Sequence, residues 1–189
     1  MDLTRQTTPP VVGTSPESQQ SALQALLDRE AIRDLAALYA ILRDDHQIDA
    51  LIQCFAPNGT FVSGGREITG HAALREWYLG NMRRNTFSHH IPHSCVTQLE
   101  STTRASGIVT GTAEFPNPET LIVGSYRWYD DYVKIDGRWV FARRDHKWMF
   151  AVPVDELPGL GRDVMRIRVT GAEPREAEWH PESVSVTPA

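Results

Sequence analysis

Four β-rich segments follow one another, with no helix between them, in the second half of the chain. They span residues 89–100, 104–115, 121–135 and 138–150, and only short polar breaks separate them. The last break, Asp136-Gly137, favours a type I′ hairpin turn. Strands joined by short loops pair antiparallel, whereas parallel neighbours need a long crossover. The sequence therefore predicts an antiparallel meander and excludes alternating βαβ units.

Helical periodicity comes before the meander. Leucines recur at three- and four-residue steps over residues 21–43, which predicts an amphipathic helix ending near Asp44. Shorter helices are predicted over residues 48–55 and 72–83, with a short strand at residues 60–63 between them. Helices first and a sheet afterwards indicate an α+β fold.

The length of 189 residues fits a single domain with a buried core. Residues 1–20 are rich in Thr, Pro, Ser and Gln and are predicted to be a flexible tail. Residues 21–152 are expected to form the folded domain. Residues 153–189 form a C-terminal extension with a candidate strand at residues 164–169.

Composition and motifs exclude several functions. The net charge is −5 and no basic stripe is present, which argues against nucleic acid as a partner. The sequence contains no glycine-rich phosphate loop, GxGxxG or GxSxG motif. It therefore does not support nucleotide hydrolysis, dinucleotide redox chemistry or hydrolysis by a catalytic triad. The two cysteines, Cys54 and Cys95, form no CxxC pair. No apolar run has the length of a signal peptide or membrane span, so we expect a cytoplasmic protein without a membrane partner.

Three histidines lie within five residues at the start of the first long strand. Side chains alternate along a strand, so His89, Ile91 and His93 are expected on one face, and His90 and Ser94 on the other. Imidazole suits proton transfer and metal binding near neutral pH. A metal site at His89 and His93 with a carboxylate is one interpretation of this cluster.

Two other polar groups lie where helix and strand ends could converge. Asp44 ends the first helix, five residues after Tyr39. A carboxylate is unfavourable at that end of a helix dipole, although it also suits an ordinary polar turn. On the last strand, alternation places Arg144 and His146 on one face and Arg143, Asp145 and Lys147 on the other, and one of these faces could point inward.

These features resemble the SnoaL-like branch of the nuclear transport factor 2-like superfamily over residues 23–149. The resemblance implies a cone-shaped α+β barrel, in which a curved antiparallel sheet wraps around the N-terminal helices. The motifs that carry it are residues 29–35, the Tyr39 and Asp44 pair, residues 55–61, residues 70–74, the histidine strand and residues 132–144.

Within this family the chain is similar to cofactor-free elimination enzymes, in which a helix-end Asp orients a strand His that removes a proton. The resemblance implies that His90 is the base and Asp44 its partner, with His89 as the alternative base. It also implies Tyr39 and Arg144 as electrophilic helpers. The implied function is a dehydratase-type lyase that uses no metal or organic cofactor and acts on a small hydrophobic cyclic substrate.

The same interpretation predicts five substrate-binding residues and a homo-oligomer, either a dimer or a trimer. An isomerase or polyketide cyclase on the same scaffold is an alternative. A non-catalytic ligand-binding or structural subunit is another. The predicted substrate-binding residues are His89, Trp77, Phe61, Glu114 and His146.

Overall fold

The computed structural model describes residues 12–85, 87–117, 120–162, 164–169 and 172–179. Residues 1–11 of the predicted tail and residues 180–189 of the extension lie outside this range. Three α-helices, six strands and a 3₁₀ helix (Val154–Arg162) occur in the described part. In chain order the helices and strands are α1 (Pro16–Asp44), α2 (Ile48–Ile52), β1 (Phe55–Ser63), β2 (Arg66–Thr69), α3 (His71–Arg84), β3 (His89–Leu99), β4 (Arg104–Asn117), β5 (Thr120–Ile135) and β6 (Arg138–Pro153).

The six strands form one open sheet in the order β2-β1-β6-β5-β4-β3. The predicted meander of β3 to β6 is present, and each consecutive pair is antiparallel. The expectation of a wholly antiparallel sheet is wrong for one pair, because β1 runs parallel to β6. The chain between these strands contains α3 and four further strands, which is long enough for a crossover. The α+β architecture is confirmed, with a curved mixed sheet.

The β5–β6 hairpin has the predicted turn. Asp136 and Gly137 both have positive φ, at 49° and 77°, as a type I′ turn requires. The flanking residues Ile135 and Arg138 pair directly, so the loop has two residues.

Helix α1 begins at Pro16, five residues before the predicted start. The Ser15 hydroxyl accepts a hydrogen bond from the backbone N–H of Ser18, and Pro16 follows in the first turn. An N-cap serine and a first-turn proline both stabilise a helix start. Part of the stretch predicted to be a tail is therefore helical.

The buried face of α1 packs against the sheet through Ile32, Leu35 and Tyr39. Leu23 and Leu38, which fit the leucine periodicity, are about half exposed. The periodicity therefore predicts the helix but misplaces part of its buried face.

The C-terminal extension packs along β6. Ile167 makes isolated β-bridges to Ala151 and Arg175. Within residues 164–169, where a strand was predicted, Ile167 alone has β-structure. Farther along, the backbone N–H of Trp148 donates to the Glu178 carboxylate, and the N–H of Glu178 donates to the Trp148 carbonyl. Across the described residues, no helix combines the length and apolar character needed to cross a bilayer.

Candidate active site

Asp44 joins the end of α1 to the start of β3. Its Oδ1 accepts hydrogen bonds from His90 Nδ1 at 2.6 Å and from the Ser88 hydroxyl at 2.8 Å. Its Oδ2 accepts from the backbone N–H of His90 at 2.6 Å. The His90 and Asp44 side chains are only 6% and 16% exposed. Three donors at one carboxylate offset its unfavourable position at the helix C-terminus.

The neighbours of His90 select one tautomer. A carboxylate only accepts hydrogen bonds, so Nδ1 carries the proton that it donates to Asp44. A guanidinium only donates, and Arg43 Nε lies 3.2 Å from His90 Nε2. Nε2 therefore presents a lone pair to Arg43.

Burial and charge set the ionisation of this pair. Burial lowers the pKa of His90, and the positive charges of Arg43 and His89 lower it further, against the opposing effect of Asp44. Burial acts to raise the pKa of Asp44. The hydrogen bonds from the His90 side chain and backbone and from the Ser88 hydroxyl outweigh burial, and the pKa of Asp44 is lowered. The pair at neutral pH is a neutral imidazole and a carboxylate.

A cavity of about 160 Å³ adjoins His90. Its apolar wall is largely aromatic, and the polar side chains Tyr39, Arg43, Asn81, His90 and His146 also line it. The apolar wall consists of Phe61, Trp77, Met82, Phe115, Trp128 and Trp148. The predicted binding residues Phe61, Trp77 and His146 are thus brought together with Tyr39 and His90.

Tyr39 and Tyr78 form a buried pair below the cavity. Their hydroxyl groups are 2.8 Å apart, and both side chains are almost fully buried. Burial, together with the proximity of Tyr39, raises the pKa of Tyr78 well above its usual value. Tyr39 is therefore held in place at the cavity by its hydrogen bond to Tyr78, and its role as an electrophilic helper stays a prediction.

Arg144 is not among the residues that line the cavity, and its role as an electrophilic helper stays a prediction. Its side chain has no exposed surface, and Nε and Nη2 donate to the two oxygens of Asp130 at 2.8 and 2.7 Å. The guanidinium carbon also lies 4.3 Å from the ring centre of Tyr39 and 3.9 Å from that of Trp128. These two rings also line the cavity.

His89 and Glu114 are also not among the residues that line the cavity, and their role in substrate binding stays a prediction. They are partners across β3 and β4, with His89 Nδ1 3.5 Å from a Glu114 carboxylate oxygen. Their side chains are 52% and 43% exposed. Alternation along β3 turns His89 away from the face on which His90 meets Asp44.

His93 shares this outer face and its Nε2 lies 3.1 Å from the Thr112 hydroxyl. The two histidines of the metal interpretation thus contact different residues of β4. Within the ranges that the structure describes, no group of three or more His, Cys, Asp or Glu side chains is arranged to hold a metal ion.

Arg43 is the residue of this site that sequence reasoning missed. It contacts the base nitrogen of His90, lines the cavity and lies 6.0 Å from the Trp77 ring centre. A basic residue in the last turn of a helix usually complements the helix dipole, which hides any other role. Its position directly before Asp44 is the one signal available in the sequence.

The SnoaL-like domain family matches residues 24–145, and the chain belongs to this family. No curated protein matches the chain.

Solved structures share the fold at low sequence identity. A candidate scytalone dehydratase from Novosphingobium aromaticivorans has a TM-score of 0.65 and 18% identity, over 79% of this chain and 97% of its own. A hexachlorocyclohexane dehydrochlorinase of LinA type 3 from Novosphingobium barchaimii has a TM-score of 0.65 and 20% identity, over 70% of this chain and 93% of its own. A Mycobacterium tuberculosis protein of unknown function has a TM-score of 0.62 and 22% identity, over 66% of this chain and 78% of its own.

Proposed function

We propose that the protein is a cofactor-independent lyase that performs a dehydratase-type β-elimination on a small hydrophobic cyclic substrate. The hydrogen bond between Asp44 and His90 at the wall of an aromatic cavity carries this proposal. It orients a buried, neutral imidazole whose other nitrogen, Nε2, carries a lone pair. An imidazole in this state is suited to act as a general base.

In the proposed reaction, His90 Nε2 removes a proton from a substrate carbon. The ring then becomes an imidazolium, and the Asp44 carboxylate at 2.6 Å stabilises the new positive charge. The lowered pKa of Asp44 keeps this carboxylate ionised while the charge is present. His90 and Asp44 therefore act as a catalytic dyad.

Arg43 takes the helper role that the sequence analysis gave to Arg144. Its Nε–H occupies the position that a substrate C–H must take next to His90 Nε2, so the guanidinium has to move when substrate binds. A hydrogen-bond acceptor on the substrate is the natural new partner for it. In that position Arg43 stabilises the negative charge of the departing group.

The cavity volume supports a small substrate. A dry protein cavity of about 150 Å³ accepts benzene, and this cavity has a volume of about 160 Å³. We therefore infer a substrate with one six-membered ring and small substituents. Elimination also agrees with two proteins of the same fold, whose names are scytalone dehydratase and hexachlorocyclohexane dehydrochlorinase.

The test follows proton abstraction directly. A panel of single-ring alcohols and chlorides is incubated with the protein in D₂O, and NMR records deuterium uptake, alkene formation and release of water or chloride. We expect His90→Gln to lower the rate about 10²- to 10⁴-fold, the usual contribution of a general base. His89→Gln is the matched control, because His89 lies next to the base but on the outer face.

Two results would change the assignment. Conversion at the wild-type rate in His90→Gln would exclude His90 as the base. A product isomeric with its substrate, formed without released water or chloride, would replace the lyase with an isomerase.

A further inference from the structure

His46 is a histidine of the cavity that the proposed reaction does not yet use. Its half-buried side chain lines the cavity together with Arg43 and His90. Among the described residues, none forms a side-chain hydrogen bond or ion pair with the His46 imidazole. Its ring nitrogens are therefore available to a ligand that fills the cavity.

The backbone of His46 has a conformation that is uncommon for residues other than glycine. Helix α1 ends in a Schellman motif, in which the N–H of Gln47 donates to the Leu42 carbonyl at 2.9 Å. His46 takes the left-handed position of this motif, with φ at 56°. Glycine is usual there, because a side chain at positive φ is strained. The imidazole is therefore present at a cost in stability, and strained residues of this kind cluster at functional sites.

Loss of hydroxide from a substrate requires a proton donor, whereas chloride leaves as a stable anion. Arg43 stabilises negative charge but does not give up a proton, because guanidinium stays protonated in proteins. The Tyr39 hydroxyl is bonded to that of Tyr78 at 2.8 Å. Burial lowers the pKa of His146 well below its usual value, and its Nε2 has almost no accessible surface. These three cavity residues are therefore poorly suited to protonate a departing hydroxide.

We propose that His46 is the general acid that protonates the departing hydroxide. This inference rests on the proposed function and adds a second catalytic histidine to it. Imidazole exchanges protons near neutral pH, and a ring that fills a cavity of about 160 Å³ contacts the residues of its wall. The end of α1 then supplies three roles in four residues, because Arg43 stabilises charge, Asp44 orients the base and His46 provides the proton.

The proposed steps balance without an added reactant. His90 Nε2 takes a proton from a substrate carbon, and the electrons of that C–H bond form the C=C bond. The neighbouring C–O bond breaks with its electrons on oxygen, and the imidazolium of His46 gives this oxygen a proton. Afterwards His90 releases one proton to solvent and His46 takes one up. The products are an alkene and water, and both histidines return to their starting states.

Cyclohexanol and methylcyclohexane test the contact without turnover, because the two probes share a ring and differ only in a hydroxyl or a methyl group. NMR of ¹⁵N-histidine-labelled protein follows the His46 ring as each probe is added, and His46→Gly assigns its signals. We expect a larger shift of these signals with cyclohexanol than with methylcyclohexane. The ratio of the two affinities should fall about three- to tenfold in His46→Gly, the value of one hydrogen bond.

Turnover separates a proton donor from a residue that only binds. His46→Gly and His46→Gln should lower turnover of a single-ring alcohol about 10²- to 10⁴-fold more than that of the corresponding chloride, whereas His90→Gln should lower both. His46→Gly also relieves the strain at positive φ, so its urea midpoint should rise by about 0.5 M. Asp136→Gly is the matched control and should keep wild-type turnover. Asp136 is the other non-glycine residue with positive φ in the described ranges, and it does not line the cavity.

The outcomes distinguish this inference from the proposed function. A loss in His46→Gly that is equal for the alcohol and the chloride overturns the acid role alone, and so does an affinity ratio that the variant leaves unchanged. A protein that converts neither compound overturns the lyase and the acid together, and a fall in the affinity ratio then shows that His46 is a binding residue. A loss confined to the alcohol, in a variant of higher stability, supports the acid role.

Discussion

The buried pair of Arg144 and Asp130 offers a quantitative test of the distinction between structural and catalytic side chains. Both side chains have no exposed surface, and two charged hydrogen bonds join them. Arg144→Met leaves Asp130 buried with the Tyr132 hydroxyl as its remaining side-chain donor. Removing one partner of a buried ion pair costs about 3–5 kcal/mol in unfolding free energy. That is a large part of the roughly 5–15 kcal/mol that holds a typical domain folded.

Urea unfolding followed by circular dichroism measures this loss. With a slope of about 2 kcal/mol per molar urea, the midpoint should fall by about 1.5–2.5 M. Arg143→Met is the matched control, because Arg143 pairs with Glu67 at the surface, where the side chains are 37% and 59% exposed. A surface ion pair contributes about 0–1 kcal/mol.

A double variant tests the cause of the loss. Arg144→Met with Asp130→Asn removes both charges and should be more stable than Arg144→Met alone, because no buried carboxylate is left uncompensated. The reasoning is refuted if Arg144→Met keeps wild-type stability. If the stable Arg144→Met variant has also lost turnover, Arg144 has a catalytic role and not a structural one.

Three further predictions concern titrating groups. Arg43→Met removes a positive charge from beside His90, so NMR titration should give a higher pKa for His90, and an unchanged or lower value would contradict the Arg43 contact. The pKa of His146 is lowered in the folded protein. As the pH falls below the usual value of 6.5, His146 is therefore protonated in the unfolded chain before it is protonated in the folded protein. Stability should therefore fall by up to about 1.4 kcal/mol per pH unit below that value, and urea unfolding of His146→Phe should show a smaller fall. Burial raises the pKa of Cys54 to about 11, so iodoacetamide at pH 8 should modify Cys54 in urea but not in the folded protein, as mass spectrometry would show.

The local features of the fold were predictable, and the long-range pairing was not. Strand composition and the Asp136-Gly137 turn set the meander, because both act between residues close in the chain. The parallel pairing of β1 with β6 depends on how the sheet closes over the helices. Residue patterns within either strand carry no information about that direction.

Strand alternation correctly predicted which face of β3 each side chain occupies up to the irregularity in that strand. His89 and His90 lie on the predicted opposite faces. Ser94 does not share the inner face with His90, because the register shifts between Pro92 and Ser94. The prediction of faces therefore fails beyond a β-bulge, which the proline signals without specifying its geometry.

The depth at which a side chain lies in the core is the second property that the sequence did not predict. Alternation places Arg144 and His146 on one face without saying which face points inward, and both residues are buried. It does not distinguish Arg144, which pairs with Asp130 and is not in the cavity lining, from His146, which is in that lining. That difference depends on where Trp128 and Tyr39 pack, which no spacing along β6 encodes.

The position of β6 in the sheet has a consequence for synthesis of the protein. β6 lies between β1 and β5, although it is the last strand to leave the ribosome. Until it emerges, β1 with β2 and the β3–β4–β5 unit are separate pieces, and β1 and β5 expose unpaired edges of the kind that promote aggregation. The cavity also lacks His146 and Trp148 during this interval. Folding of the core and completion of the site are therefore coupled to the same late step of translation.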